Sequence, residues 1–578
     1  MSLKRVASGS TSRVLKQTRL LPSRIHRYYS TPTSSNAPED SDVVIVGGGP
    51  AGLALASALG SSDAVKQNLK ITLVEFGDLE KVRGWNMPSD AFSNRVSSLT
   101  NVSQNFLEEI GAWDLVDEGR TCGLEEMKVW DGISDARIDF NAATLGLGSS
   151  MTAGNQMARL TENLNLQRGL LRHLDQHTNV SLLDNTKVDS IHHDGNDADG
   201  WPAVHLSNGK VLRARLLVGA DGFNSPVRSY AGIESYGWNY PTHAIVATLQ
   251  HAPRSLQPNT TAYQRFLPTG PIAFLPLSPT ASSLVWSTRP ALAAALKQTD
   301  PLVLVRMINA AFRLPEVSLR YLHDRILEAS TAGAPLTPSE ITDEIAWRER
   351  AHDIHEYSAY ASASVDPVSV NIGIPPEGAE LLPPLVENIQ PGTVASFPLR
   401  FNHAEAYVGE GRGARTVLVG DAAHTIHPLA GQGLNLGLGD AECLARCITG
   451  AVQRGGDIGS HTALLPYARE RYFENHKMMS AVDKLHKLYA STAPPVVWAR
   501  SVGVEVLNEL DALKAGVMAS AGAGPGPGRG DASWGMAASG VEALVGGARV
   551  VTAVRDGVRA VGVGALQQLA QSLAGRSR

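Results

Sequence analysis

Three glycine-bearing turns hold the residues best suited to chemistry. Gly47, Gly49 and Gly52 follow one another in G-x-G-x-x-G spacing. In such a turn the first glycine bends the chain, the second lets a pyrophosphate approach the backbone, and the third lets helix and strand pack closely. The phosphates then meet the free N–H groups of a helix N-terminus. Glu75 stands 23 positions after Gly52, where an acid binds ribose hydroxyls. A carboxylate there favours a free 2′-hydroxyl, hence FAD or NAD over NADP. The second turn is Gly219-Ala220-Asp221-Gly222, and the third is Gly420-Asp421, followed by Gly433-Leu434-Asn435. An acid just past a strand end can hold a sugar-like hydroxyl. A helix start can stabilise negative charge on a ring that faces it. His424 and His427 lie three apart with no third ligand nearby, so no metal site is expected. They read as hydrogen-bonded parts of the same pocket. No G-x-S-x-G nucleophile turn occurs.

Each turn needs a strand to aim it. Val43–Val46, the "ITLV" before Glu75, Leu216–Val218 and Thr416–Val419 are short apolar runs, the pattern of buried parallel strands. A helix is expected over Leu53–Leu59 and another opening at Gly433. The domain built from these pieces must be discontinuous: 41–125, 150–230 and 397–450. Residues 235–290 alternate apolar and polar, as in "HAIVATLQ" and "SSLVWSTRP", which predicts an antiparallel sheet. A second domain over 126–149 and 231–396 follows, with an insertion near 291–385. Residues 451–519 read as C-terminal helices. No second complete G-x-G-x-x-G marks a separate NADPH domain.

The ends differ from the middle. Residues 1–38 carry seven Lys or Arg and no acid before Glu39. Arg-rich, Ser-rich and acid-poor, with no apolar h-region, is the composition of a mitochondrial transit peptide. The whole chain has 51 basic and 56 acidic residues, net −5, so its removal leaves −12. That balance disfavours nucleic acid as a partner. Residues 520–540 read as a Gly/Pro/Ala linker, and 541–578 as an apolar, arginine-bearing tail that lies on a membrane surface, packs as a helix on a partner subunit, or forms a disordered extension. No run of ~20 apolar residues could span a membrane. The 578 residues, 43% apolar, supply two or more domains' worth of core. Three cysteines exclude a disulfide framework, and Cys443 and Cys447 share one helix face.

Taken together, "GGGPAGLALA", "GADGFNSPVR" and "GDAAHTIHPLAGQGLNLGLGDA" resemble the aromatic-ring flavin hydroxylases with the p-hydroxybenzoate hydroxylase fold. "SNRVSSLT", "MKVWDG" and "HPLAGQGLNLGL" are similar to the ubiquinone-biosynthesis hydroxylases, and the transit peptide points to their mitochondrial branch, which hydroxylates ring carbon C5. The resemblance spans residues 41–520. It implies an α/β fold: a Rossmann-like FAD-binding domain, an antiparallel-sheet substrate domain and C-terminal helices. It implies FAD as cofactor. Gly47, Gly49 and Gly52 would cradle the pyrophosphate and Glu75 the adenosine ribose. Arg95 would approach the pyrophosphate or the flavin. Glu162 would lie on a helix near the cofactor, and Asp221 would support it. Asp421 would bind the ribityl chain, and the backbone of Gly433, Leu434 and Asn435 would face the flavin. No catalytic side chain is assigned. The implied substrates are a polyprenyl phenol and O2, and the electron donor is a ferredoxin system or NADPH. The implied setting is a biosynthetic complex on the matrix face of the mitochondrial inner membrane, with peripheral contact. A flavin- or NAD-dependent dehydrogenase, or a catalytically idle flavoprotein scaffold, would share the first turn.

Overall fold

The computed structural model describes residues 38–146, 155–194, 200–254, 258–363 and 375–522. The expected transit peptide, most of the linker and the 541–578 tail lie outside the described residues.

Strand Glu39–Val46 is the centre of the first sheet, because Val43, Val44 and Ile45 are fully buried on both faces. It pairs in parallel with Ile71–Val74 on one side and Val211–Gly219 on the other. Val180–Leu183 extends the sheet beyond the former, and Thr416–Leu418 beyond the latter, both parallel. Two antiparallel strands, Val188–Asp194 and Trp201–Leu206, complete it. The register places Val46 opposite both Val74 and Gly219, and Gly219 opposite Leu418. Four strands therefore end level with one another. Gly47, Glu75, Ala220-Asp221 and Gly420-Asp421 all issue from that single edge, the carboxyl edge where open parallel sheets bind ligands. Helix Pro50–Ser61 leaves from the first turn and packs against helix Gln432–Gln453 through small residues. A Cβ on Gly437 would stand 3.3 Å from that of Ala51.

The second sheet is mixed but mainly antiparallel. Its order is His424–Thr425, Ala395–Ala404, Ser235–His251, Ala281–Thr288, Gly270–Ser278, Thr261–Leu267, Glu126–Asp131 and Arg137–Asn141. Alternation along its strands divides two cores. Ile245, Phe274 and Trp286 face a helical layer through Leu292, Met307 and Phe312. Tyr240, Ala244, Ala262 and Phe266 face the opposite way, against Ile426, Leu429 and Leu436. The segment expected as an insertion is that helical layer: Pro290–Gln298, Pro301–Arg313, Glu316–Thr331 and Pro338–Ala351. One boundary moves. Residues 397–404, expected in the FAD-binding part, are a strand of the second sheet, paired with Ser235–His251. The chain returns to the first domain only after Ala404, because a ten-residue strand cannot change sheets midway without a break.

Helices His461–Ala490, Pro494–Asn508 and Asp511–Ser520 close the described chain. The buried Arg500–Asp131 ion pair, 2.6 Å, fixes the middle one to the second sheet. No described helix is long and apolar enough to cross a membrane.

Candidate cofactor site

The first turn has the geometry of a phosphate cradle. Gly47 sits at φ +112°, and a Cβ there would lie 2.2 Å from the Ala220 carbonyl oxygen. A Cβ on Gly52 would lie 2.0 Å from the Gly47 carbonyl oxygen. Both positions exclude a side chain. Gly49 differs: a Cβ there meets nothing within 4 Å. It borders open space at the N-cap of helix Pro50–Ser61, and no side chain caps that helix. Free N–H groups and the positive end of the helix dipole thus face an open cradle. The Glu75 carboxylate reaches across to accept the N–H groups of Gly48 and Gly77. Gln167 Nε2 donates to the Gly48 carbonyl, 3.2 Å, which steadies the turn from below.

Two acids stand beside the cradle. Asp221 Oδ2 accepts the Val227 N–H at 3.1 Å, while Oδ1 is buried and has no partner. Burial raises its pKa, partly offset by Ser225. Asp421 is exposed to solvent, yet the surrounding walls desolvate it and raise its pKa, with His424 pulling the other way. A carboxylate that is open to solvent but surrounded by protein stands in a concavity. Nearby, helix Gln432–Gln453 starts at Gly431, φ +61°, again without a side-chain cap. Gly433 and Leu434 are half-buried in its first turn. The Asn435 side chain is otherwise engaged. Its Oδ1 accepts the Thr100 N–H at 3.0 Å, and its Nδ2 donates to the Ser98 carbonyl at 2.8 Å. It pins the helix start to strand Val96–Thr100, leaving the backbone to face the cleft.

Arg95 is exposed, at the beginning of that strand, with its carbonyl accepting the Asn163 N–H. Glu162, expected on a helix, is instead the last residue of strand Ala158–Glu162, held there by pairing with Val96. Fully buried, it pairs with Arg120 at 2.7 Å and accepts the Ser93 N–H. Arg120 in turn donates to the carbonyls of Pro88 and Ala91 and lies 5.0 Å from the rings of both Trp85 and Phe92. Glu162 thus braces the loop that delivers Arg95. Sequence reasoning missed Arg120, since nothing in "EGRTC" marks a partner 42 positions away. It also passed over Asp440, four residues after Leu436 in the quoted "LNLGLGDA" segment. His424 Nε2 donates to Asp440 at 2.6 Å. His427 accepts the Leu429 N–H at Nδ1, 3.1 Å, and burial lowers its pKa to about 3. It is a neutral imidazole packed between Tyr240 and His486.

An open cradle at Gly49, two acids at a shared strand edge and a second uncapped helix suit a long dinucleotide with several hydroxyls. The family model for an FAD binding domain matches residues 40–331 and 389–481. Mitochondrial ubiquinone biosynthesis monooxygenase COQ6 of Saccharomyces cerevisiae is 38% identical over 489 residues, covering 83% of this chain and 93% of its own. The chain belongs to this family of FAD-dependent monooxygenases. The human member is 36% identical over 490 residues, covering 83% of this chain and 92% of its own. Among solved structures, p-nitrophenol 4-monooxygenase PnpA from Pseudomonas putida matches with a TM-score of 0.56 at 17% identity, covering 84% and 99% of the two chains. The probable FAD-dependent monooxygenase pqsL from Pseudomonas aeruginosa matches at 0.52 and 21%, covering 81% and 99%. These two show a common fold. The family settles the choice left open between FAD and NAD, and disfavours the dehydrogenase and scaffold alternatives.

Proposed function

We propose that this monooxygenase hydroxylates ring carbon C5 of a polyprenyl phenol in ubiquinone biosynthesis, at the matrix face of the mitochondrial inner membrane. Reduced FAD, when bound, supplies the activation of O2 that closed-shell phenols lack. The chain's own residues bind, orient and exclude water. Gly47, Gly49 and Gly52 cradle the pyrophosphate, with Glu75 on the adenosine ribose and Arg95 at the mouth. Asp221 supports the cofactor, and Asp421 holds a ribityl hydroxyl. The N–H groups of Gly433, Leu434 and Asn435 stabilise negative charge on the ring they face. Glu162 serves through Arg120 as a brace. Electrons come from a ferredoxin system or from NADPH, within a biosynthetic complex.

One observation carries the substrate reading. A cavity of about 600 Å³, walled by Pro241, Leu267, Pro268, Pro290, Leu319 and Ala490, also reaches His486. The His486 ring lies 4.7 Å from that of His427, in the turn leading to helix Gln432–Gln453. The wall also carries Arg289, Glu316, Arg320 and His323, so the apolar side of the chamber suits a prenyl chain. Leu267→Trp fills it. The variant is expected to raise KM about tenfold for a long-tailed phenol and to leave a tail-less phenol unchanged. An equal effect on both substrates refutes the assignment of the chamber to the tail.

A further inference from the structure

The Gly420-Asp421 turn is held by a residue of the dinucleotide domain that is itself held by helix His461–Ala490. Asp440, fully buried on helix Gln432–Gln453, accepts four hydrogen bonds that divide between its two oxygens. Oδ2 takes the Gly420 N–H at 3.0 Å and His424 Nε2 at 2.6 Å. Oδ1 takes Arg471 Nε at 2.9 Å and Asn475 Nδ2 at 2.9 Å. One oxygen therefore serves the turn and the other serves helix His461–Ala490. Arg471 also reaches Asn475 Oδ1 at 2.6 Å and the Leu436 carbonyl at 3.3 Å, one turn into the helix that starts at the cleft. Asn475 donates further to the Tyr407 hydroxyl, 3.2 Å. Burial alone would raise the Asp440 pKa, but His424 and Arg471 hold it down to about 2, so it stays ionised. Gly420 sits at φ +59°, and its N–H has Asp440 as its partner. The very next residue is Asp421, whose carboxylate stands in the concavity.

Burying charged groups is costly, and a well-packed apolar cluster would stabilise the same contact at least as well. What a charged hub adds is a fixed geometry at a glycine turn that has no side chain of its own to fix it. We propose that Asp440, Arg471 and Asn475 form a strut through which the C-terminal helix His461–Ala490 positions Asp421 for the cofactor. These are positioning residues. The proposal rests on the reading of Asp421 as a cofactor ligand.

The test is a double-mutant cycle on FAD affinity, measured by fluorescence titration of the full-length apoprotein. Asp440→Asn is expected to raise the Kd for FAD at least tenfold and to alter the visible band of bound flavin. Arg471→Lys keeps the charge but cannot bond Asp440, Asn475 and the Leu436 carbonyl at once, so its Kd is expected to lie between those of the wild type and Asp440→Asn. In an Asp421→Ala background, Asp440→Asn is expected to add less than a further twofold, because the group it positions is gone. If the two losses multiply instead, the strut does not act through Asp421 and the proposal falls. If Asp421→Ala alone leaves Kd unchanged, the cofactor reading of Asp421 and the strut fall together. Should Asp440→Asn not fold, Asn475→Ala removes one donor of four without changing charge and runs the same cycle.

Discussion

Arg120→Met is the sharpest test of how the site is braced. Arg120 and Glu162 are 7% and 0% exposed and meet at 2.7 Å. Removing the guanidinium leaves a carboxylate buried with the Ser93 N–H as its remaining donor, and frees the carbonyls of Pro88 and Ala91. Breaking one side of a buried pair costs about 3–5 kcal/mol. In a protein of this size that corresponds to a drop in melting temperature of about 3–5 °C. Methionine keeps most of the packing between Trp85 and Phe92, so the loss reports charge rather than volume. Differential scanning fluorimetry of wild type, Arg120→Met, Glu162→Gln and the double variant closes the cycle. The double variant is expected to be more stable than the sum of the single losses, since no unpaired charge remains. FAD affinity should weaken in both single variants, because the 85–95 loop carries Arg95. A single-variant loss under about 1 kcal/mol, the range of an exposed ion pair, would show that the pair is not the brace described.

Gly49→Val should yield colourless protein, since its side chain would fill the open cradle; absorbance at the flavin band checks this, and stoichiometric FAD would refute the cradle. Asp421→Ala removes one charge-assisted hydrogen bond of about 1.5–3 kcal/mol, so the Kd for FAD should rise ten- to a hundredfold, as read by titration. Acid sensitivity follows from buried imidazoles. Burial lowers the pKa of His173, His323 and His403 to about 4 and of His427 to about 3. Below pH 6.5 the unfolded chain gains protons that the folded chain refuses, so stability falls as pH drops from 6.5 towards 4. Each group contributes up to about 1.4 kcal/mol per pH unit. His427→Gln should flatten the melting-temperature slope in that window, and an unchanged slope would show that His427 is not buried in its neutral form.

The parts of the site that lie along the chain were legible, and those that lie across it were not. Gly47, Gly49, Gly52 and Glu75 were readable because a strand–turn–helix imposes spacing on contiguous residues, and the structure brings all four to one turn. Short apolar runs before each turn predicted parallel strands, since a strand buried on both faces has no polar alternation. The level ends of those strands were invisible, because register depends on pairing between segments 28, 173 and 199 positions apart. Arg120 and Asp440 were missed for the same reason: a buried charge is recognisable only once its partner is placed. The start of the 291–385 segment, "ALAAALKQ" and "PLVLVRMINAAF", has helical patterning, but helices Glu316–Thr331 and Pro338–Ala351 were not read, and nothing local says which sheet the layer covers. At 397–404 the local signal for a strand was correct in kind, and only pairing with Ser235–His251 shows which sheet owns it.

A phenol-ring monooxygenase inserts one atom of O2 into its substrate. The direct measurement is anaerobic reduction of the FAD-loaded protein, followed by 18O2 and a polyprenyl phenol, with mass spectrometry of the product. A ring-hydroxylated phenol carrying one 18O at C5 is expected. Recovery of unchanged phenol, or of a product whose new oxygen comes from water, would contradict the proposed hydroxylation.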